Sequence, residues 1–233
     1  MDVLVIDVGG THVKMRATSA DTHRKFKSGP TLTPDLLVER VHEIVGDWHY
    51  DVISLGFPGA VAGSAPAAEP GNLGCGWMGF DFERAFGKPV RMVNDAVMQA
   101  LGAYDGGRML FLGLGTGLGS ALVTEHVIVP LELGNLPAPG GQSLGDRLGR
   151  KGLKQNGRDR WLRDVHAAID VLRPAFAADY VVLGGGNAKL VSPRPQHTRR
   201  GGNDAAFTGG FRLWEEVVEP HDREPHRGWR VVR

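Results

Sequence analysis

The chain has a single cysteine, Cys75, among 233 residues. One thiol builds neither a disulfide framework nor a cysteine-rich zinc site, and it suits a reducing compartment. An excess of one charge is lacking as well: 27 basic residues stand against 26 acidic ones, a formal net charge of +1. That balance removes the global electrostatic drive toward polyanions, and no nucleic-acid partner is expected. Long apolar runs are missing too. The first, Val3–Ile6, lies between Asp2 and Asp7 without a basic leader or a cleavage site, and none elsewhere approaches the ~20 residues of a membrane helix. A cytoplasmic protein with no membrane partner is expected, and the length suits one large domain or two small ones.

What the chain does have is glycine, 34 residues, gathered where apolar segments end. Val3–Ile6 reads as a buried strand running into Asp7-Val8-Gly9-Gly10-Thr11, with Val13–Ala17 as its hairpin partner. A second such turn is Gly113-Leu114-Gly115-Thr116-Gly117-Leu118-Gly119, and a third, Gly184-Gly185-Gly186, follows the strand Tyr180–Leu183. Each offers backbone N–H groups unshielded by side chains, which suits phosphate oxygens. The second turn imitates a dinucleotide fingerprint, but it continues into the strand-like Ser120-Ala121-Leu122-Val123 rather than opening a helix. A nicotinamide oxidoreductase therefore rests on the glycines alone.

Helices are expected over Pro34–Val45, capped by Thr33, over Phe82–Phe86, over Ala96–Ala103, and through Trp161, Val165, Ile169 and Leu172. Further strands are expected at Val52–Gly56, Val90–Val93, Met109–Leu112, Ser120–Thr124 and Val127–Val129. The segment from Ser192 to Gly202 shows little periodicity. Alternating strands and helices make the class α/β. Asp105-Gly106-Gly107 marks a boundary between an N-terminal domain, 1–104, and a C-terminal domain, 105–233. The last helix, about 204–218, is expected to return to the first domain, and the end from Glu219 to be frayed.

Several side chains are placed to act on a bound phosphate. Asp7, at the carboxyl end of a strand, suits hydrated Mg²⁺, and Lys14 is either a phosphate neutraliser or simply solvated. Asn94-Asp95 follows a buried strand and precedes a helix, so Asp95 is either a cap or a base that takes a proton from a substrate hydroxyl. Glu132 and Asn135 offer the mixture of acceptor and donor that sugar hydroxyls require, although surface turns look similar, and Asn72 with Trp77 offers an amide and either a ring wall or a Trp that is simply packed. Arg147, Arg150, Lys151, Lys154, Arg158, Arg160 and Arg163 form a basic run, read first as a solvated helix face and alternatively as a groove for a polyanion.

Together these motifs resemble the sugar kinases of the repressor, open-reading-frame, kinase (ROK) family, within the actin, hexokinase and Hsp70 superfamily. Asp7-x-Gly9-Gly10-Thr11 is similar to the family's first phosphate motif, Asn94-Asp95 to its catalytic pair, Gly113-x-Gly115-Thr116-Gly117-x-Gly119 to its second phosphate motif, and Gly184-Gly185-Gly186 to its adenosine-side turn. Pro130–Gly134 and the basic region after it most resemble the polyphosphate glucokinase branch. The resemblance implies two ribonuclease-H-like (actin-like ATPase) domains flanking a cleft, and a homodimer. It implies phosphoryl transfer from ATP or polyphosphate, with Mg²⁺, to a hexose 6-hydroxyl, with Asp95 as base and Asn72, Asn94, Glu132 and Asn135 around the sugar. Two positions depart from the pattern: Asn135 stands where the family has His, and Pro137 where that branch has Glu. They point to two alternatives, a kinase with an acceptor other than glucose or a binding protein with impaired catalysis. The zinc-binding cysteines of many relatives have no counterpart, and neither does the DNA-binding module of the family's repressors.

Overall fold

The computed structural model describes residues 1–215, except 126 and 203, and residues 229–231. They divide into two compact units: residues 1–98 with 206–215 and 229, and residues 99–205 with 230 and 231. The boundary expected at residue 105 lies downstream of this division, which falls inside a helix.

The first unit contains β1 (Val3–Val8), β2 (His12–Ala17), β3 (Arg24–Lys27), α1 (Pro34–Val45) and β4 (Val52–Phe57). A small hairpin follows, β5 (Val61–Ala62) and β6 (Ala65–Pro66), then α2 (Phe82–Phe86), β7 (Val90–Asn94) and α3 (Asp95–Ala103), which crosses the division. The sheet order is β3-β2-β1-β4-β7. β1, β2 and β3 pair antiparallel, while β1, β4 and β7 pair parallel. Helix α1 starts where the sequence places it, because Thr33 Oγ1 accepts the Leu36 N–H at 3.3 Å and Pro34 needs no donor in the first turn. Its face of Leu37, Val41 and Val45 buries against Leu4, Ile6, Met15 and Leu55 in one apolar core. Trp77 belongs to that core, fully buried beside Phe57 and Phe82. It therefore packs the interior and forms no ring wall for a ligand.

The second unit repeats this design. It contains β8 (Met109–Leu114), β9 (Leu118–Thr124), β10 (Val127–Leu131), a 3-10 turn (Leu133–Asn135) and the short hairpin β11 (Pro137–Ala138) and β12 (Gln142–Ser143). Then come α4 (Leu144–Leu148), α5 (Arg150–Ala175), β13 (Tyr180–Gly184), β14 (Thr198–Arg200) and β15 (Arg230–Val231); α6 (Ala205–Arg212), which stands before β15 in the sequence, belongs from Ala206 onward to the first unit. Its sheet runs β14-β13-β8-β9-β10-β15. Around β8 the pairings reproduce those around β1: two successive antiparallel neighbours on one side and two parallel neighbours on the other. Trp161, Val165 and Ile169 of α5 close this core over Leu110, Leu112, Val181 and Leu183.

Two expectations are corrected and one is extended. The aperiodic segment from Ser192 contains β14, whose partner β13 supplies the regularity that its own sequence lacks. The basic run read as a solvated helix face and the helix through Trp161 are one element, α5, which begins at Arg150 and bends at Gly157, where φ is 72°. The last helix ends at Arg212, and residues 216–218 and the end from Glu219 lie outside the described residues. Helix α6 packs mostly within the first unit. Buried Ser54 donates to the Gly210 carbonyl at 2.5 Å and accepts from Trp214 Nε1 at 2.9 Å, and a Cβ on Gly210 would lie 2.4 Å from Val5.

Candidate functional site

In the first unit the carboxyl ends of β1, β4 and β7 lie side by side, with Asp7 opposite Gly56 and Phe57 opposite Asn94. Asp7 and Asp95 are thereby brought together. Burial pushes the Asp7 carboxyl up, and the neighbouring Lys14 partly offsets it. Asp95 is pushed up to about 7 by burial first and by the Asp7 charge second. A carboxyl poised near neutrality takes up and releases a proton at working pH, which suits a general base. Asp95 opens α3, and its Oδ1 accepts the Ala96 N–H at 2.8 Å.

The cap of α3 is Asn94. Its Oδ1 accepts from Ala96 N at 2.9 Å and Val97 N at 3.4 Å, and its Nδ2 donates to the Gly59 carbonyl at 3.0 Å. One amide hydrogen of Asn94 is left for a ligand. The glycine turn between β1 and β2 is tied by the Gly9 N–H to the His12 carbonyl at 3.0 Å. Gly9 is thus spent on shaping the turn, whereas Gly10 and Thr11 are exposed at its tip. Exposed Asn72 covers this turn: a Cβ on Gly10 would touch its side chain at 3.6 Å. Gly10 and Asn72, far apart in the sequence, are thus neighbours in the fold.

In the second unit the turn between β8 and β9 is the counterpart. The Gly115 N–H is shared between the Gly113 and Gly117 carbonyls, at 3.1 and 3.2 Å, leaving Thr116 and Gly117 exposed at the tip. Two further segments grip this turn. Arg150 N donates to the Gly115 and Thr116 carbonyls at 3.0 and 3.2 Å, and Asn187 bonds Leu114 O through its backbone and Gly115 O through its amide. The grip leaves no room for side chains. A Cβ would lie 2.5 Å from Thr116 O at Gly149 and 2.6 Å from the Leu114 backbone at Gly185, whose φ is +77°. Gly185 stood in a visible glycine cluster, but Gly149 carried no such signal.

Glu132 and Asn135 bracket the 3-10 turn and are both exposed. The turn is fixed by Ser120, whose buried hydroxyl donates to Leu131 O at 2.8 Å and accepts from Leu133 N at 3.2 Å. A Cβ on Gly134 would lie 2.9 Å from Leu118 O, so this turn sits against the strand that leaves the glycine loop. In the basic run, Arg147 is half-buried and pairs with Asp164 at 2.6 Å, and Lys151 pairs with Asp146 at 3.0 Å. Arg150, Lys154, Arg158, Arg160 and Arg163 are exposed, as a solvated face requires.

No family model matches the chain. The polyphosphate glucokinase of Mycobacterium tuberculosis (strain ATCC 25618 / H37Rv) is 24% identical over 203 residues, covering 78% of this chain and 76% of that protein. Among solved structures, the inorganic polyphosphate/ATP-glucomannokinase of Arthrobacter sp. strain KM superposes with a TM-score of 0.76 at 22% identity, over 89% of this chain and 96% of that one. A ROK-family glucokinase of Streptomyces griseus, in complex with glucose and AMPPNP, gives a TM-score of 0.71 at 17% identity, over 90% and 97%. The twice-repeated α/β sheet is thus the actin-like fold of ROK-family sugar kinases, and the chain is similar in sequence to the polyphosphate glucokinases.

Proposed function

We propose that the chain is a sugar kinase, transferring a phosphoryl group from ATP or polyphosphate to a hexose hydroxyl, the 6-hydroxyl in a glucokinase-like reaction. The observation that carries this reading is Asp95, held near a pKa of 7 at the end of β7 beside Asp7. Asp95 Oδ1 is engaged by the Ala96 N–H, and Oδ2 takes the hydroxyl proton as the oxygen attacks phosphorus. The remaining Asn94 amide hydrogen, Asn72, Glu132 and Asn135 orient the sugar. Gly10, Thr11, Thr116 and Gly117 hold phosphate oxygens, Gly9 and Gly115 shape their turns, Lys14 adds positive charge, and Gly184, Gly185 and Gly186 border the nucleoside side when ATP is the donor. Catalysis of this kind is positioning and charge neutralisation.

Two adjacent carboxyls that resist ionisation fit a hard divalent cation, and Asp7 is the residue proposed to hold Mg²⁺. The cation supplies neutralisation of phosphate charge. The departures Asn135, at the end of the 3-10 turn, and Pro137, at the start of β11, are both exposed and favour an acceptor other than glucose as the second reading. A binding protein without turnover is the third.

The experiment is a screen of hexoses against ATP and polyphosphate, with wild type and Asp95→Asn. Loss of the base lowers kcat by about 10²–10⁴-fold while donor binding persists. Full activity in Asp95→Asn removes Asp95 from the chemistry, whereas calorimetric sugar binding with no transfer from either donor establishes the binding protein. Homodimerisation, which the family resemblance implies, is tested by sedimentation velocity, and a monomer at all concentrations refutes it. The proposed setting is the cytoplasm, and the described residues include no helix long and apolar enough to cross a membrane.

A further inference from the structure

Beside the first glycine turn lies a pocket of about 320 Å³ that none of the roles above uses. It forms where β3 ends and α1 begins. Its polar lining is Lys27, Arg40, Ser28 and Thr31, and its apolar lining includes Phe26 and Leu36. Lys27 and Arg40 are exposed, and Lys27 has no ion-pair partner among the described residues. Arg40 pairs with Glu43 at 3.3 Å across one helical turn, both side chains more than half exposed. Such a surface pair is weak and yields readily to a more highly charged ligand.

The pocket is wired to the turn through Ser28. Its hydroxyl donates to the Gly9 carbonyl at 2.5 Å and its N–H donates to the Thr11 carbonyl at 3.1 Å, so one residue grips both ends of Gly9-Gly10-Thr11. Lys27, which precedes it, is paired in register with His12, the residue that receives the Gly9 N–H. Any ligand that orders Lys27 and Thr31 therefore restrains the segment that fixes the turn.

We infer that this pocket binds a phosphoanion and that its occupancy is coupled to the first glycine turn. Two cations and a hydroxyl around a space of this size match a terminal phosphate or a pyrophosphate group, whose oxygens accept from guanidinium, ammonium and hydroxyl alike. The apolar side formed by Phe26 and Leu36 confines the charged contact to the Lys27 and Arg40 side. The same chemistry comes from two sources: a free phosphate compound acting as effector, or the distal part of an extended polyphosphate donor. The second source rests on the function proposed above.

The test titrates the ¹⁵N-labelled protein, residues 1–233, with inorganic pyrophosphate. The amides of Ser28, Thr31, Gly10 and Thr11 shift with one common midpoint, and K27Q/R40Q weakens that midpoint on the order of tenfold. Lys25→Gln removes an exposed cation from the same strand but not from the pocket, and it leaves the midpoint within about twofold. Both replaced pocket side chains are exposed, and an unchanged spectrum elsewhere verifies folding. Absence of shifts at Ser28 and Thr31, or equal weakening by Lys25→Gln, overturns the site. Shifts confined to the pocket, with Gly10 and Thr11 unmoved, overturn the coupling. The titration requires no turnover, so it holds or fails independently of kinase activity. In activity assays, a higher KM for long-chain polyphosphate in K27Q/R40Q with KM for ATP unchanged assigns the donor's distal part. A pyrophosphate-dependent change in the ATP-driven rate that K27Q/R40Q abolishes assigns the free effector.

Discussion

Replacing Asp95 by Asn should make the protein more stable at neutral and alkaline pH while disabling it. The carboxyl titrates at about 7 in the fold against an ordinary value of 3.8, because burial and the Asp7 charge both oppose ionisation. Raised proton affinity in the folded state means that the protonated acid contributes its full stability below pH ~4, and that this is lost as pH rises through ~7. At about 1.4 kcal/mol for each tenfold change in proton affinity, ionising Asp95 in place costs at most about 4 kcal/mol. Asp95 is half-buried and keeps some contact with solvent, so about 2 kcal/mol is the expected gain above pH 7. Asn preserves the oxygen that accepts the Ala96 N–H and carries no charge at any pH.

Urea unfolding of both proteins at a series of pH values from 4 to 9 is the assay. The two curves should nearly coincide at pH 4 and diverge through pH 7, with the variant above. Asp7→Asn supplies the internal control: removing the neighbouring charge should bring the Asp95 titration down, because that charge is the second cause of its elevation. If wild type is the more stable protein at pH 8, or if the gap is constant with pH, the electrostatic account of Asp95 is wrong.

Gly149→Ala should distort the second glycine turn, since the new Cβ would lie 2.5 Å from Thr116 O; the expected result is a donor KM raised about tenfold or more, read by initial rates. Ser54→Ala removes both bonds that join β4 to the segment around α6 and should cost about 2 kcal/mol in urea unfolding, together with earlier proteolysis after residue 204. Arg147→Ala leaves Asp164, at 10% exposure, without its ion-pair partner and with its second oxygen already unpartnered; a loss of about 2–3 kcal/mol, recovered in part by Asp164→Asn, is expected in chemical denaturation.

How much of this was legible in the sequence depended on whether the signal was local. The cap and proline of α1, the strands that run into glycine, and the acid at the start of α3 depend on neighbours within a few residues, and the chain spells them out. Gly149 is hard to see because, beside the nearby Gly145 carbonyl, its requirement comes from a carbonyl more than thirty residues earlier in the sequence, at Thr116. Trp77, in its glycine-rich loop, could be read either as a ring wall or as packing, and only Phe57 and Phe82, from other elements, decide for packing. The first half of α5 declares itself by charge alone: between Arg150 and Arg160 only Gly152 is buried, so the basic run marks a solvated helix face but gives no apolar period from which to read its bounds. Strand β14 owes its conformation to β13, and no pattern of its own announces it.

The repeated sheet also has an inequality in it. By position in the pattern, β8 offers Gly113 where β1 offers Asp7, each the last residue but one of a six-residue strand. A side chain at Gly113 would begin 3.3 Å from the Phe111 ring and 3.5 Å from the Gly119 carbonyl. Where the first half carries its acid, the second half therefore has a glycine lying close against the Phe111 ring. A scaffold built twice thus carries its strand-end carboxylate only once, and its two halves are chemically unequal at the very position that their pairing makes equivalent.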